Sequence, residues 1–224
     1  NSSFYGLSQK VKTANAALQV LGFRAFRKMA INLAFEQTAH QKTASRNFNL
    51  SAFWKHSLAS ASAAQLIGKT RLRVDPEVAY TYGLIHDIGM LVLAKYCSGF
   101  FDRAIAMAYE QNRPLHECER RILGFDSTDI GSVMVEKWQF TEDAKQAIKS
   151  VNETIFNEKL EEMTATIIMA NKIACLAGYP NHDKNMEVHL DPALCFDLEL
   201  SDEGVKTLIE EVKNEVLHTE KMFK

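Results

Sequence analysis

An all-α fold, a bundle of many helices, is predicted for this chain of 224 residues by three observations. Apolar residues recur mainly at three- and four-residue spacing, the alternation expected of strands is nearly absent, and glycine and proline are scarce at 10 and 4 residues. Such a chain reads as helices joined by short turns. With 46% hydrophobic and 24% charged residues the composition is that of an ordinary globular protein, long enough to bury a core as one domain or one domain with an appended piece.

The elements follow in order. A first helix carries Val11, Ala14, Leu18 and Leu21; Gly22 interrupts it, and a second presents Phe23, Phe26, Ala30 and Leu33 on one face. After the polar stretch Thr38 to Asn49, Ser51 reads as the N-cap of a helix through Phe53, Leu58 and Leu66, whose run of alternating Ala and Ser permits close helix packing. Asp75-Pro76-Glu77 is a strong helix start, with a capping side chain, a proline at the first helical position and an acid at the positive end of the dipole. Further helices are expected at about Phe100 to Glu110, after Pro114, after the Asp126-x-x-Asp129 start, after Thr141, from Glu158 to Ala177, and from Asp202 to about His218. Gly178-Tyr179-Pro180-Asn181 ends the long one abruptly, and from there to Leu200 an irregular connection is expected. The last helix is amphipathic, with Val205, Leu208, Ile209, Val212 and Val216 on one side.

Charge excludes some functions. Lys plus Arg number 26 against 28 Asp plus Glu, so the whole-molecule field does not recruit nucleic acid, and none is expected as a partner. The small basic clusters Lys69, Arg71, Arg73 and Arg24, Arg27, Lys28 read as solvated surface. The four cysteines, Cys97, Cys118, Cys175 and Cys195, are widely spaced without C-x-x-C, which fits reduced structural thiols better than disulfides or a zinc framework. No segment reaches the roughly 18 apolar residues of a membrane span, and Asn1-Ser2-Ser3-Phe4-Tyr5 is not a signal peptide. A cytoplasmic protein with no membrane partner is the expectation. Trp54, Trp138 and the methionines 90, 107, 134, 163 and 169 read as core, and His116 as surface.

The most informative residues are His86 and Asp87 in Gly83-Leu84-Ile85-His86-Asp87-Ile88-Gly89-Met90. His182-Asp183 is a second such pair, so the dipeptide alone decides nothing. The context decides. His56 lies 30 residues upstream on an expected helix, and two imidazoles with a carboxylate are sensible ligands for zinc, iron, nickel or manganese that leave positions open for water. A working hydrolase of this kind usually adds another carboxylate to hold the ion.

His56, then Gly83-Leu84-Ile85-His86-Asp87-Ile88-Gly89, then Leu115-x-x-x-Glu119 before Gly124-Phe125, then Gly131-x-x-x-Val135-x-x-x-Trp138 resembles the HDOD domain, a bacterial output domain related to the HD-type metal-dependent phosphohydrolases. Asn1 to Gly6 and Ala17-Leu18-x-x-Leu21-Gly22 resemble the middle portion of that domain, so further helices are expected before Asn1. The resemblance implies an HD-domain-like bundle over residues 1–180, with 181–224 as a C-terminal extension ending in the amphipathic helix. The HD pattern closes with a distant Asp on a late helix, and in Ile168-Met169-Ala170-Asn171-Lys172-Ile173-Ala174 that place is taken by Asn171. An Asn carbonyl can coordinate a cation but brings no charge, so metal affinity should fall. Ser127-Thr128-Asp129 and Ser150-Val151-Asn152 stand where the related HD-GYP cyclic di-GMP phosphodiesterases supply extra histidines.

The resemblance therefore implies a signalling module without catalytic activity, with a degenerate metal pocket of His56, His86 and Asp87 beside Asn171. Its cofactor would be none or a weakly bound divalent metal. Its partners would be a signalling protein or an attached regulatory domain, a small nucleotide ligand, or a second copy of the chain. The alternative is a metal-dependent phosphohydrolase or phosphodiesterase acting on a nucleotide or cyclic nucleotide.

Overall fold

The computed structural model describes residues 43–71, 73–153, 160–181 and 188–223. The two expected helices before residue 34, the basic cluster Arg24, Arg27, Lys28 and the pair His182-Asp183 lie outside the described residues. Among those described there are ten helices and no strand: α1 (Leu50–Gly68), α2 (Pro76–Ile85), α3 (Ile88–Tyr96), α4 (Ser98–Gln111), α5 (Leu115–Leu123), α6 (Ser127–Lys137), α7 (Glu142–Lys149), α8 (Glu162–Leu176), α9 (Pro192–Asp197) and α10 (Asp202–Phe223).

Local chemistry sets the helix ends. Asp75 caps α2 through the amides of Glu77 and Val78, with Pro76 at the first position. Asp126 and Asp129 form a reciprocal capping box at α6. Two expectations shift. The cap of α1 is Asn49, whose side chain accepts from the Ala52 amide, and not Ser51. Within the stretch expected to be irregular, Asp191-Pro192 opens α9 by the same chemistry as Asp75-Pro76, with the Asp191 carboxylate accepting from the Ala193 amide.

Helix α1 is the hub. It is buried over most of its circumference and packs on α2, α8 and α10. The alternating Ala and Ser from 59 to 64 are all buried, small enough to let neighbouring backbones come close. At the α1–α2 crossing a Cβ on Gly83 would lie 2.8 Å from Ala61 Cα and 2.8 Å from the Ser60 carbonyl oxygen. On the other side of the His-Asp pair, a Cβ on Gly89 would lie 1.8 Å from the Ser127 carbonyl oxygen at the start of α6. Both glycines are there because two backbones touch.

The last helix turns its apolar side inward: Leu208, Val212 and Val216 join the common core together with Leu194 and Leu198 of the α9 segment. Of the two tryptophans expected in the core, Trp54 is buried, whereas Trp138 is 46% exposed at the end of α6 beside Phe140. Met90 and Met169 are buried, and Met107, Met134 and Met163 pack half-buried against the core. Arg71 of the expected basic cluster pairs with Glu199 at 3.3 Å. No cysteine is in a disulfide, and no single described helix is long and apolar enough to cross a membrane.

Gly89→Ala should therefore destabilise the chain by about 3 kcal/mol or more, because the displaced atom is backbone and cannot swing away. Gly99→Ala is the control, since a Cβ there meets nothing within 4 Å and alanine is the better helix former. Thermal unfolding followed by circular dichroism should show a melting temperature lowered by roughly 6 °C or more for the first variant and unchanged or raised for the second.

Deleting residues 202–224 strips Leu208, Val212 and Val216 from the core, so the truncated chain should melt lower or self-associate. The same melting temperature and the same mass in solution would count against this packing.

Candidate metal centre

The close approach at Gly83 positions the site. His56 lies one turn before Ser60 on α1, and His86 one turn after Gly83, so the crossing that joins Ser60 to Gly83 also brings the two imidazoles together, with ring centroids 5.2 Å apart. Neighbours in a continuous helix point about 100° apart. The chain avoids this by ending α2 at Ile85 and restarting α3 at Ile88, with Asp87 in a bridging conformation at φ −101°, ψ 15°. His86 thus closes one helix at its negative end and Asp87 opens the next at its positive end, the arrangement that favours a cationic imidazole and an anionic carboxylate.

His56, His86 and Asp87 are brought together: their nearest ligand atoms lie within 4.8 Å of one another, and the residues are 0%, 1% and 6% exposed. His56 Nε2 is 3.2 Å from His86 Nε2, and Asp87 Oδ2 is 3.4 Å from the first and 3.2 Å from the second. The outer nitrogens are pinned. His56 Nδ1–H donates to the Tyr179 carbonyl at 2.7 Å, and His86 Nδ1–H to the Gly83 carbonyl at 2.8 Å. A carbonyl only accepts, so each Nδ1 carries its proton, and a neutral imidazole then presents a bare Nε2 lone pair. Three acceptors face one point. Such a group is stable only with positive charge among them, either a proton on an imidazole or a cation.

The protonation preferences follow. Burial alone would raise the Asp87 carboxyl, but the charge and hydrogen bond of His86, then the charge of His56 and the hydrogen bond of Asn181, hold it at about 2. Burial alone would lower His56, but the hydrogen bond and charge of the Cys175 sulfur and the charge of Asp87 raise it, against the opposition of His86. His86 is raised in the same way, burial being outweighed by the charge and hydrogen bond of Asp87 and by the Gly83 carbonyl. The residues fit a divalent ion, which His56 Nε2, His86 Nε2 and Asp87 Oδ2 would hold, the Tyr179 and Gly83 carbonyls fixing each ring in the tautomer that ligation needs.

The neighbours of the triad were less visible in the sequence. The asparagine that touches it is Asn181, whose amide donates to Asp87 Oδ2 and, at 2.9 Å, to Met90 Sδ. Asn171 is half-buried one turn before Cys175 on α8, and both line a cavity of about 530 Å³ together with His116, Asn152, Lys172 and Asp191. Tyr179 acts through its backbone and carries no side-chain signal. Cys175 reads in the sequence as a structural thiol.

Glu119, present in the motif without an assigned role, is fully buried. Its Oε2 accepts from the Ser127 amide at 2.7 Å and the Ser127 hydroxyl at 2.9 Å, while Oε1 has no hydrogen-bond partner among the described residues. Burial pushes this carboxyl up to about 7 against the two bonds from Ser127, with the charges of Asp126 and Asp87 adding to the rise.

Comparison with known proteins now decides the family, because the profile of the HDOD domain matches residues 1–154. The chain belongs to the HDOD family. The match ends before α8, so Tyr179 and Asn181 stand outside it. No curated protein matches the chain. Among solved structures it is similar to an HDOD domain protein of unknown function from Geobacter sulfurreducens, at TM-score 0.70 and 20% identity over 99% of this chain and 74% of that one. It is also similar to a protein from Shewanella amazonensis provisionally named a phosphohydrolase, at TM-score 0.71 and 23% identity over 99% of this chain and 81% of that one. A third, from Marinobacter aquaeolei and provisionally named a signal transduction protein, aligns at TM-score 0.77 and 20% identity over 99% of this chain but only 49% of its own. At these identities the shared property is the helical HDOD fold.

The Glu119 carboxyl yields a prediction whose sign is fixed. Its folded value of about 7 lies above the ordinary 4.5, so between these the native chain holds a proton that the unfolded chain has lost, and stability falls as pH rises through that window by about 3 kcal/mol. Glu119→Gln keeps an oxygen for Ser127 and cannot ionise. It should be more stable than the parent at pH 8 and close to it at pH 4.5, as measured by urea unfolding at both; an unchanged difference between the two pH values would refute the assignment.

Proposed function

We propose that this HDOD chain is a bacterial cytoplasmic signalling module that works through its conformation and occupancy rather than through turnover. The observation that carries the reading is the enclosure of the triad. A phosphodiester could reach the three ligand atoms only if the bundle opened, because none of the three residues exceeds 6% exposure. Among the described residues the other neighbours are an amide, Asn181, a thiol, Cys175, and the Ser60 hydroxyl 3.5 Å from His56 Nε2, so the described triad has one carboxylate with which to neutralise a divalent ion. Metal binding is correspondingly weak.

The module receives its signal from a partner protein, an attached regulatory domain or a small ligand. The cavity walled by Asn171 and Cys175 supports the last, since it has room for a small molecule and shares with the triad Cys175, whose sulfur helps to raise the His56 imidazole. Self-association is not needed to cover the last helix, whose apolar stripe already lies in the core of its own chain. A metal-dependent phosphohydrolase is the competing reading.

The test is metal titration by calorimetry beside a screen of nucleotide and cyclic-nucleotide hydrolysis. The wild-type chain should bind manganese or zinc weakly and hydrolyse none of these substrates. Asn171→Asp, which restores the carboxylate that the HD pattern carries at this position, should tighten the binding, and His86→Ala in that background should abolish the gain; no effect of Asn171→Asp would assign position 171 to the neighbouring cavity instead. Strong stoichiometric binding with robust turnover by the wild type would establish the enzyme instead.

A further inference from the structure

We propose that Asn181 is a built-in competitor for a divalent cation at the triad, its amide N–H holding the Asp87 oxygen that the ion would need. The inference rests on the reading of His56, His86 and Asp87 as a weak divalent-ion pocket.

Asp87 Oδ2 is the oxygen that faces both imidazole Nε2 atoms, and it is also the oxygen to which Asn181 donates. The amide group has no freedom to do otherwise. Its nitrogen serves Asp87 and Met90 Sδ together, and turning the amide over would set Oδ1 against the carboxylate, acceptor against acceptor. This orientation leaves Asn181 Oδ1 buried and without a partner among the described residues, in a residue only 9% exposed. A buried acceptor left unsatisfied is costly, and the bond to an ionised carboxylate offsets that cost because charge-assisted bonds are the stronger kind.

The partial positive charge of the amide hydrogens thus already rests on the carboxylate oxygen that a cation would take. An ion taking Oδ2 must share that oxygen with the donor, which already holds part of its negative charge. The chain delivers it from residues 177–181, directly after α8, the same segment whose Tyr179 carbonyl fixes His56, so this segment both orients one ligand and occupies another. Since this segment lies beyond residues 1–154, the device belongs to the C-terminal part of the chain rather than to the matched family segment.

The experiment is titration of Mn²⁺ and Zn²⁺ into the tag-free full chain by calorimetry, for the wild type, Asn181→Ala and Asn181→Asp, each checked for folding by thermal melting. Removing the donor in Asn181→Ala should lower the dissociation constant roughly 10-fold, the size of one hydrogen bond to a charged group. Asn181→Asp should lower it further by adding a carboxylate beside the ion. In the wild type, the side-chain NH₂ resonances of Asn181 should shift as Zn²⁺ is added, which tests the contact without any substitution. Equal affinity for wild type and Asn181→Ala, or weaker binding by Asn181→Ala, overturns the proposal while leaving the pocket intact, and so does an Asn181 NH₂ pair that saturating Zn²⁺ leaves unmoved. Absence of binding by all three proteins overturns it together with the metal-pocket reading.

Discussion

Helix α1 lies against α2 as closely as it does because position 83 carries no Cβ, and the rest of the site depends on that contact. The Ser60 carbonyl and Ala61 Cα occupy the space a side chain would take. Since His56 and His86 are each one turn from the crossing, the approach that packs the two backbones also brings the two imidazoles together, their planes tilted by 53°. A wider crossing would still give a helical bundle, but the Nε2 atoms would no longer share a point. Gly89 repeats the device against Ser127, so the short α2–α3 bend is clamped from both sides and Asp87 is held toward the histidines.

The electrostatic consequence is a small buried volume bounded by acceptors. With both Nδ1 protons committed to backbone carbonyls, nothing within the triad can supply the positive charge its geometry asks for except protonation of a ring. The raised histidines and the lowered carboxyl express this. Glu119 on α5 shows the converse case. It is a carboxyl buried among neutral donors and other acids, and so it rises to about 7. One pocket favours ionisation and the other resists it, although both are buried. The difference lies in the charge of the partners.

Much of the fold was legible because it is written in local chemistry. Asp75-Pro76-Glu77 and the Asp126–Asp129 box announce their helices by residues whose effect does not depend on the rest of the chain. Asp191-Pro192 carried the same signal for α9, but it is a helix of six residues without periodicity, too short for the apolar pattern to support it. Trp138 was misplaced for a related reason, since hydrophobicity predicts burial on average but not at a helix end that points outward. Of the site, His56, His86 and Asp87 could be found because the ordered motif names them. Tyr179 could not, because its backbone carbonyl acts and any residue has one. Asn181 follows a Gly-Tyr-Pro helix stop and carries no motif signal, whereas the HD pattern points to Asn171.

At the centre of the site three acceptors are held ready for one positive charge, with both outer nitrogens protonated. Nitrogen-15 spectra of the His56 and His86 side chains, recorded as Zn²⁺ is added, address this arrangement most directly. Both Nδ1 atoms should show attached protons throughout, with the Nε2 shifts of both residues moving together as the ion enters. A bare Nδ1 on either ring, or metal-induced shifts confined to one histidine, would contradict the shared site.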